Sequence, residues 1–255
     1  MAPDKLDPNA VALFLDVDGT LLEIRNNPAD VSADTRLVNL LEACFESLGG
    51  AMALVSGRSV DEVDRIFAPA VFPVAGSHGA ELRIGGGKIV TVAHDPLPEE
   101  ALAPLGELAA AHDGLLLEHK RGGVSLHYRR APELESGCRE LVTRIMAEIG
   151  DSFRLIAGKM VFEIAPGAYD KGAAIQTFLE NSPFAGRVPV FLGDDVTDED
   201  GFRVVNELAG LSIRIGDIER SAACYRLDDV AAVRPWLYRA LLENPQQQHH
   251  GETRS

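Results

Sequence analysis

The stretch Val11-Ala12-Leu13-Phe14-Leu15-Asp16-Val17-Asp18-Gly19-Thr20-Leu21-Leu22 decides how the rest of the chain is read. Five apolar residues run straight into two carboxylates spaced two apart, then a glycine, a hydroxyl and two leucines. The length of the run and its β-branched and aromatic content are those of a fully buried parallel strand. Gly19 and Thr20 end it with turn chemistry. Side chains alternate along a strand, so Asp16 and Asp18 are expected on one side of its carboxyl end. In an open α/β sheet that end is where ligands bind. Two carboxylates held together there need a cation or a shared proton.

Working outward, Ser32-Ala33-Asp34-Thr35 opens a helical stretch through about Leu48, closed by Gly49-Gly50. Ala51 to Val55 reads as a second buried strand, ending at Ser56-Gly57-Arg58. A helix over Asp61 to Phe67 leads to a third strand, Val71 to Ala75, which runs into Gly76-Ser77-His78-Gly79. Further on, Lys171 to Asn181 is an amphipathic helix and Val188 to Gly193 a buried strand. That strand ends in Asp194-Asp195-Val196-Thr197-Asp198-Glu199-Asp200. A helix through Leu208, a strand over Leu211 to Ile215 and a last helix from about Ala231 to Glu243 complete the pattern. This alternation predicts an α/β fold with a doubly wound parallel sheet.

The pattern breaks in the middle of the chain. A helix from about Glu99 to His112 precedes two alternating runs, Leu115 to Lys120 and Val124 to Arg130. They flank Arg121-Gly122-Gly123 and read as an antiparallel hairpin. A second helix follows Pro132 as far as Ile149, then two short strands around Gly158-Lys159. The expectation is an inserted α+β domain over 97–166, with a core formed by 1–96 and 167–244. Pro96-Leu97-Pro98 and Pro166-Gly167 are its expected hinges. Residues 245–255 read as a disordered tail, in which His249-His250 is no metal site.

Composition narrows the function. With 46% hydrophobic and 25% charged residues among 255, the chain is an ordinary globular one. Its net charge of −15 argues against a nucleic-acid or membrane partner. No apolar run approaches the length of a membrane span, and the start lacks a leader pattern. Cys44, Cys138 and Cys224 are far apart and form no paired motif, which suits reduced thiols in a cytoplasmic protein.

Three strand ends now carry polar groups that one parallel sheet brings to one edge: Asp16 with Asp18, Ser56, and Asp194 with Asp195 and Asp198. Converging carboxylates with no Cys or His favour a hard cation, and Mg²⁺ is the expected one. The expected ligands are Asp16, Asp18 and Asp194, with Asp195 and Asp198 supporting them. Asp198 or Glu199 also suits helix capping. With a metal present, Asp16 is placed to attack phosphorus and Asp18 to protonate the leaving alkoxide and then activate water. Ser56 and Lys171 supply the hydroxyl and the ammonium of a phosphoryl clamp.

Asp16-Val17-Asp18-Gly19-Thr20, Ser56-Gly57-Arg58, Lys171-Gly172 and Gly193-Asp194-Asp195…Asp198 resemble, in order, the four motifs of the haloacid dehalogenase-like phosphatases. An insertion between the second and third resembles the branch with an α/β cap. Finer matches, including Gly76-Ser77-His78-Gly79-Ala80-Glu81, Leu126-His127-Tyr128-Arg129 and Gly158-Lys159…Glu163-Ile164, resemble the bacterial trehalose-6-phosphate phosphatases. The likeness runs from about Leu13 to Trp236. It implies removal of phosphate from trehalose 6-phosphate through an aspartyl-phosphate, by an enzyme expected to act as a monomer. It also implies that Glu118, Lys120 and Glu163 hold the sugar hydroxyls. Arg58, His78, His127, Arg129 and Lys159 are the further substrate-side residues. His127 and Arg129 either share the face of Glu118 and Lys120 or support it, and His78 suits a turn as well as a ligand. A related phosphatase acting on sucrose phosphate or mannosylphosphoglycerate, and a non-catalytic sugar-phosphate sensor, are the rival readings.

Overall fold

The computed structural model describes residues 2–25, 27–85, 87–91, 96–120, 122–217 and 220–243. The expected tail, the His249-His250 pair and Arg121 of the hairpin turn lie outside them. The opening apolar run forms β1 (Val11–Leu15), buried at every position. Its neighbours are β2 (Met52–Val55) and β10 (Val188–Gly193), both parallel to it. From there the sheet grows both ways. On one side lie β3 (Val74–Gly76), β4 (Glu81–Arg83) and β5 (Val90–Thr91), and on the other β11 (Leu211–Ile215) and β12 (Tyr225–Leu227). The chain therefore reverses its direction of travel across the sheet at β1, which makes the carboxyl end of β1 the switch-point crevice.

Among the described residues the sheet has eight strands in the order β12-β11-β10-β1-β2-β3-β4-β5. It is parallel from β12 to β3, while β4 and β5 run antiparallel at one end. These end strands and β12 are only two or three residues long, too short to display the period-2 signal that the longer strands carry. The third strand also starts later than its apolar run suggests, because Val71 is 60% exposed and the ladder reaches only Val74.

Helices α1 (Thr35–Ser47) and α7 (Val230–Leu237) pack together, as do α5 (Lys171–Leu179) and α6 (Asp198–Glu207). α2 (Val60–Phe67) lies on β3 and β4. The last expected helix keeps α geometry only to Leu237, then continues as a π turn over Tyr238–Leu242. Under α5, Phe14 stacks on Phe184 at 5.6 Å and meets Phe178 at 5.9 Å.

The middle of the chain builds a second layer with its own core. Strands β6 (Leu116–Lys120), β7 (Gly123–His127), β9 (Val161–Pro166) and β8 (Phe153–Gly158) form an antiparallel sheet in that order. Period-2 alternation gives this sheet two unlike faces. Val124, Leu126, Phe162 and Ile164 point to one face and bury against α3 (Glu99–Ala111) and α4 (Glu135–Ile149). Burial of each such side chain contributes about 1.5–3 kcal/mol. The register places Glu118 opposite Ser125 and Ser125 opposite Glu163 on the other face. That polar face looks down on the carboxyl end of β1.

Candidate active site

At the end of β1 the Asp16 carboxylate is buried and receives the Lys171 ammonium at 2.6 Å. Lys171 opens α5, where a cation opposes the helix dipole. Asp170 caps that helix at Ala173, and Lys171 turns inward to a second carboxylate, Asp198, also at 2.6 Å. Burial works against the ammonium, but Asp16 and Asp198 outweigh it and hold its pKa well above the ordinary value. Burial raises the Asp16 carboxyl well above the usual carboxylate range; Lys171 opposes the rise, while Asp198 and Asp194 add to it.

Asp198 does more than hold Lys171. Its other oxygen accepts the backbone N–H groups of Asp194 and Asp195, each at 2.9 Å, and so folds the loop between β10 and α6. A side chain at Gly193 would collide with it. Gly19 has φ +87, and a Cβ there would overlap the Asp194 carboxylate. Only glycine satisfies both the left-handed backbone and the close approach. The turn after β1 can therefore lie directly against Asp194.

Oxygens of Asp16, Asp194 and Asp198 come within 4.8 Å of one another. Among the described residues the buried Asp194 Oδ1 has no hydrogen-bond partner, while Oδ2 receives the Lys159 ammonium from the turn between β8 and β9. Burial, with Asp198 adding to it, lifts the Asp194 carboxyl to about 6 against the pull of Lys159. Hard oxygen donors and an orphaned buried carboxylate oxygen fit a divalent cation. Asp18, expected in the ligand set, is turned elsewhere. Arg58 holds its carboxylate in a two-point fork, at 2.6 and 2.8 Å. Ser56 lies buried at the end of β2, its hydroxyl accepting the Arg58 N–H at 3.1 Å.

The polar face of the β6–β9 sheet closes the site from above. Lys120 donates to Glu163 at 2.6 Å and to the carbonyl of Gly57 below at 3.2 Å. Glu163 also accepts from Ser125 at 2.8 Å and lies 3.2 Å from His78 Nε2 of the lower layer. Burial alone would raise the Glu163 carboxyl; Lys120 reverses this and holds it far below the ordinary value. Burial depresses the His78 pKa, and Glu163 opposes the shift. Glu118 meets His127 at 2.8 Å, and that bond holds its carboxyl below the usual value despite burial. Arg129 reaches the carbonyl of Lys159 at 2.8 Å.

Between the layers is a cleft of about 180 Å³. Its walls include Asp16, Asp18, Ser56 and Arg58 below, and Glu118, Lys120, His127, Arg129 and Lys159 above. His78, Asp194 and Asp195 also line it, whereas Lys171, Asp198 and Glu163 stand behind the lining.

A sequence model described as trehalose-phosphatase matches residues 14–231. The chain belongs to the trehalose-phosphatase family. It is 44% identical over 205 residues to a probable trehalose-phosphate phosphatase of Sinorhizobium fredii, covering 80% of this chain and 77% of that one. It is 42% identical over 227 residues to the trehalose-6-phosphate phosphatase of Escherichia coli, covering 89% and 85%. The C-terminal domain of Candida albicans trehalose-6-phosphate phosphatase superposes with a TM-score of 0.76 at 22% identity, over 90% of this chain and 91% of that one. As a trehalose-phosphatase the protein is a phosphoric monoester hydrolase; it shares the haloacid dehalogenase fold, and its buried carboxylates could hold a metal ion.

For this trehalose-phosphatase, sequence reasoning missed several wall residues. Ile24, Arg25, Glu62 and Val161 line the cleft, and Ser125 organises its roof. Ser125 left one signal, a small hydroxyl between Val124 and Leu126 in an apolar run. Glu62 was hidden by its other role, as the N3 residue of the capping box that starts α2 with Ser59.

Proposed function

We propose that this trehalose-phosphatase hydrolyses trehalose 6-phosphate to trehalose and inorganic phosphate, with Mg²⁺ as its metal ion. The observation that carries the reading is one cleft with two unlike walls: the Asp16–Lys171 station below and the Glu118–Lys120 face above. Asp16 and Asp194 would hold the Mg²⁺, with Asp198 adjoining. When bound, the ion offsets the negative charge of the phosphoryl group and of the carboxylates around it.

In this reading an Asp16 oxygen attacks phosphorus as the bond to the sugar oxygen breaks, giving an aspartyl-phosphate. Asp18, having taken up a proton from solvent, delivers it to the departing sugar alkoxide. To do so it leaves the Arg58 fork, and the arriving phosphate offers Arg58 a substitute anion. Asp18, now a carboxylate, takes a proton from water; the resulting hydroxide attacks phosphorus, and the bond to Asp16 breaks to release phosphate. Ser56 and Lys171 steady the phosphoryl oxygens. Glu118, Lys120 and Glu163 read the sugar hydroxyls, each both donor and acceptor, and His78, His127, Arg129 and Lys159 complete that surface.

We assign 97–166 as a cap that opens at 96–98 and 166–167 to admit substrate and excludes water on closing. Both walls come from one chain, which supports a monomer. Free thiols at Cys44, Cys138 and Cys224 accord with a cytoplasmic setting. Among the described residues, no helix is long and apolar enough to cross a membrane.

Phosphate release across trehalose 6-phosphate, sucrose phosphate and mannosylphosphoglycerate, with and without EDTA, tests the reading. The expected result is a preference of about tenfold or more in kcat/KM for trehalose 6-phosphate, since unpaired polar groups reject the wrong sugar. EDTA should abolish turnover and added Mg²⁺ restore it. Equal turnover of the three sugars, or full activity in EDTA, overturns it.

A further inference from the structure

The loop that carries Asp194 is held from two directions, and only one of them belongs to the machinery described above. From the side of α5, Asp198 accepts the N–H groups of Asp194 and Asp195. From the other side comes Arg214. The β10–β11 register sets Arg214 directly beside Gly193, the residue before Asp194. Its guanidinium is turned over the loop, where Nη1 donates to the backbone carbonyl of Asp195 at 3.2 Å and to Glu199 at 3.1 Å. Glu199 is fixed in turn by Ser221 Oγ and the Ala222 N–H, each at 2.7 Å.

We propose that Arg214 is a positioning residue for metal binding: it clamps the Asp195 peptide so that the Asp194 carboxylate stays aimed at Asp16. The inference rests on the reading that these carboxylates hold Mg²⁺. An arginine that is only 5% exposed is costly to desolvate, and among the described residues its buried Nε has no hydrogen-bond partner. What the arginine adds is reach to a carbonyl and a positive charge against a segment holding Asp194, Asp195, Asp198, Glu199 and Asp200. Asp198 fixes the N–H groups of Asp194 and Asp195, and Arg214 shares the Asp195 carbonyl with the Asp198 N–H at 3.1 Å, so the peptides on either side of Asp195 have little freedom to rotate. Removing one side lets the carboxylates relax apart before the metal arrives.

The experiment is calorimetric titration of the full-length protein with Mg²⁺, for the wild type and for Arg214→Met, Arg214→Lys and Glu199→Gln. Arg214→Met is expected to raise the Mg²⁺ Kd roughly tenfold, the lower end of what partners behind metal ligands contribute. Arg214→Lys restores most of that affinity, because an ammonium can reach the same carbonyl. At saturating Mg²⁺ the KM for the sugar phosphate stays at the wild-type value, a split that general destabilisation does not produce. A folded Arg214→Met protein with wild-type Mg²⁺ affinity, or an Arg214→Lys protein as weak as Arg214→Met, overturns the proposal. If Arg214→Met fails to fold, Glu199→Gln decides it: about a threefold rise in Kd supports the clamp, and an unchanged Kd overturns it. A wild type that binds no Mg²⁺ overturns the metal reading and the clamp together. Binding by the wild type with unchanged variants overturns the clamp alone.

Discussion

At the residue scale Asp16 stands between opposing demands. Burial and two neighbouring carboxylates push it towards the neutral acid, and Lys171 pulls it towards the carboxylate that a nucleophile must be. Asparagine keeps the size of the side chain and removes the attacking oxygen's charge. Asp16→Asn is therefore expected to lower kcat on the order of 10⁴-fold or more, with substrate binding retained. Single-turnover phosphate release together with equilibrium binding checks it. The positions of Asp16, Ser56, Lys171 and Asp194 were legible because each lies at a strand end or helix start, and the parallel sheet fixes where those ends go. Asp18 was less so. Its spacing put it beside Asp16, but a carboxylate at the start of a turn takes the direction its strongest partner dictates, and that partner is Arg58, forty residues on. Ser125 was illegible for a different reason: one small hydroxyl does not disturb an apolar alternation enough to announce a role.

Among the elements, α2 and the β6–β9 sheet carry contrasting functions. α2 begins at Val60 with a capping box in which Ser59 and Glu62 satisfy each other's backbone N–H groups. Ser59→Ala is expected to cost about 1 kcal/mol. For a chain of this size that is a fall of roughly 2–4 °C in Tm, measurable by calorimetry. The β6–β9 sheet acts through its polar face. Glu118→Ala or Lys120→Ala removes a charged group proposed to bond the sugar and is expected to lower kcat/KM for trehalose 6-phosphate roughly 10–100-fold. Turnover of a small aryl phosphate, which lacks the sugar, should change little; equal losses on both substrates would remove the assignment of this face to the sugar. The hairpin itself was readable from two alternating runs around glycines. Its partner strand β9 and the cross-strand row Glu118–Ser125–Glu163 depend on register, which alternation alone does not specify.

Over the whole molecule, the contact between layers converges on Glu163. Lys120 and His78 reach it from the two layers, and its carboxyl is held far below its ordinary value. In the unfolded chain a glutamate titrates near about 4.3. Between that value and the lower folded one, the unfolded state binds the extra proton. The stabilisation from Glu163 is thus fully present above about pH 4.3 and is lost as pH falls below it. Glu163→Gln leaves Lys120 buried without its anion, a loss of about 3 kcal/mol at pH 7 by analogy with other buried pairs. The gap in Tm between wild type and variant should narrow as pH is lowered from about 5 to 3. A gap independent of pH would count against the ion pair. The two-layer plan was visible in the sequence as a break in the strand–helix rhythm. The short antiparallel strands β4 and β5 were not, because a strand of two or three residues offers no period to read.

The central pairing of the large sheet also bears on how the protein is made. Val11 of β1 lies opposite Val188 of β10, so the middle of the lower layer joins the first tenth of the chain to its last third. The upper layer, by contrast, is one unbroken segment of hairpins and helices. On a ribosome, β1 and β2 emerge early and wait, apolar on both faces, while the intervening segment is synthesised and has all it needs to fold. Local antiparallel pairing forms sooner than distant parallel pairing, and domains fold as units as they appear. The layer proposed to read the sugar is thereby expected to be complete before the lower layer can close. The nascent chain therefore passes through a stage in which its specificity surface exists and its reaction centre does not.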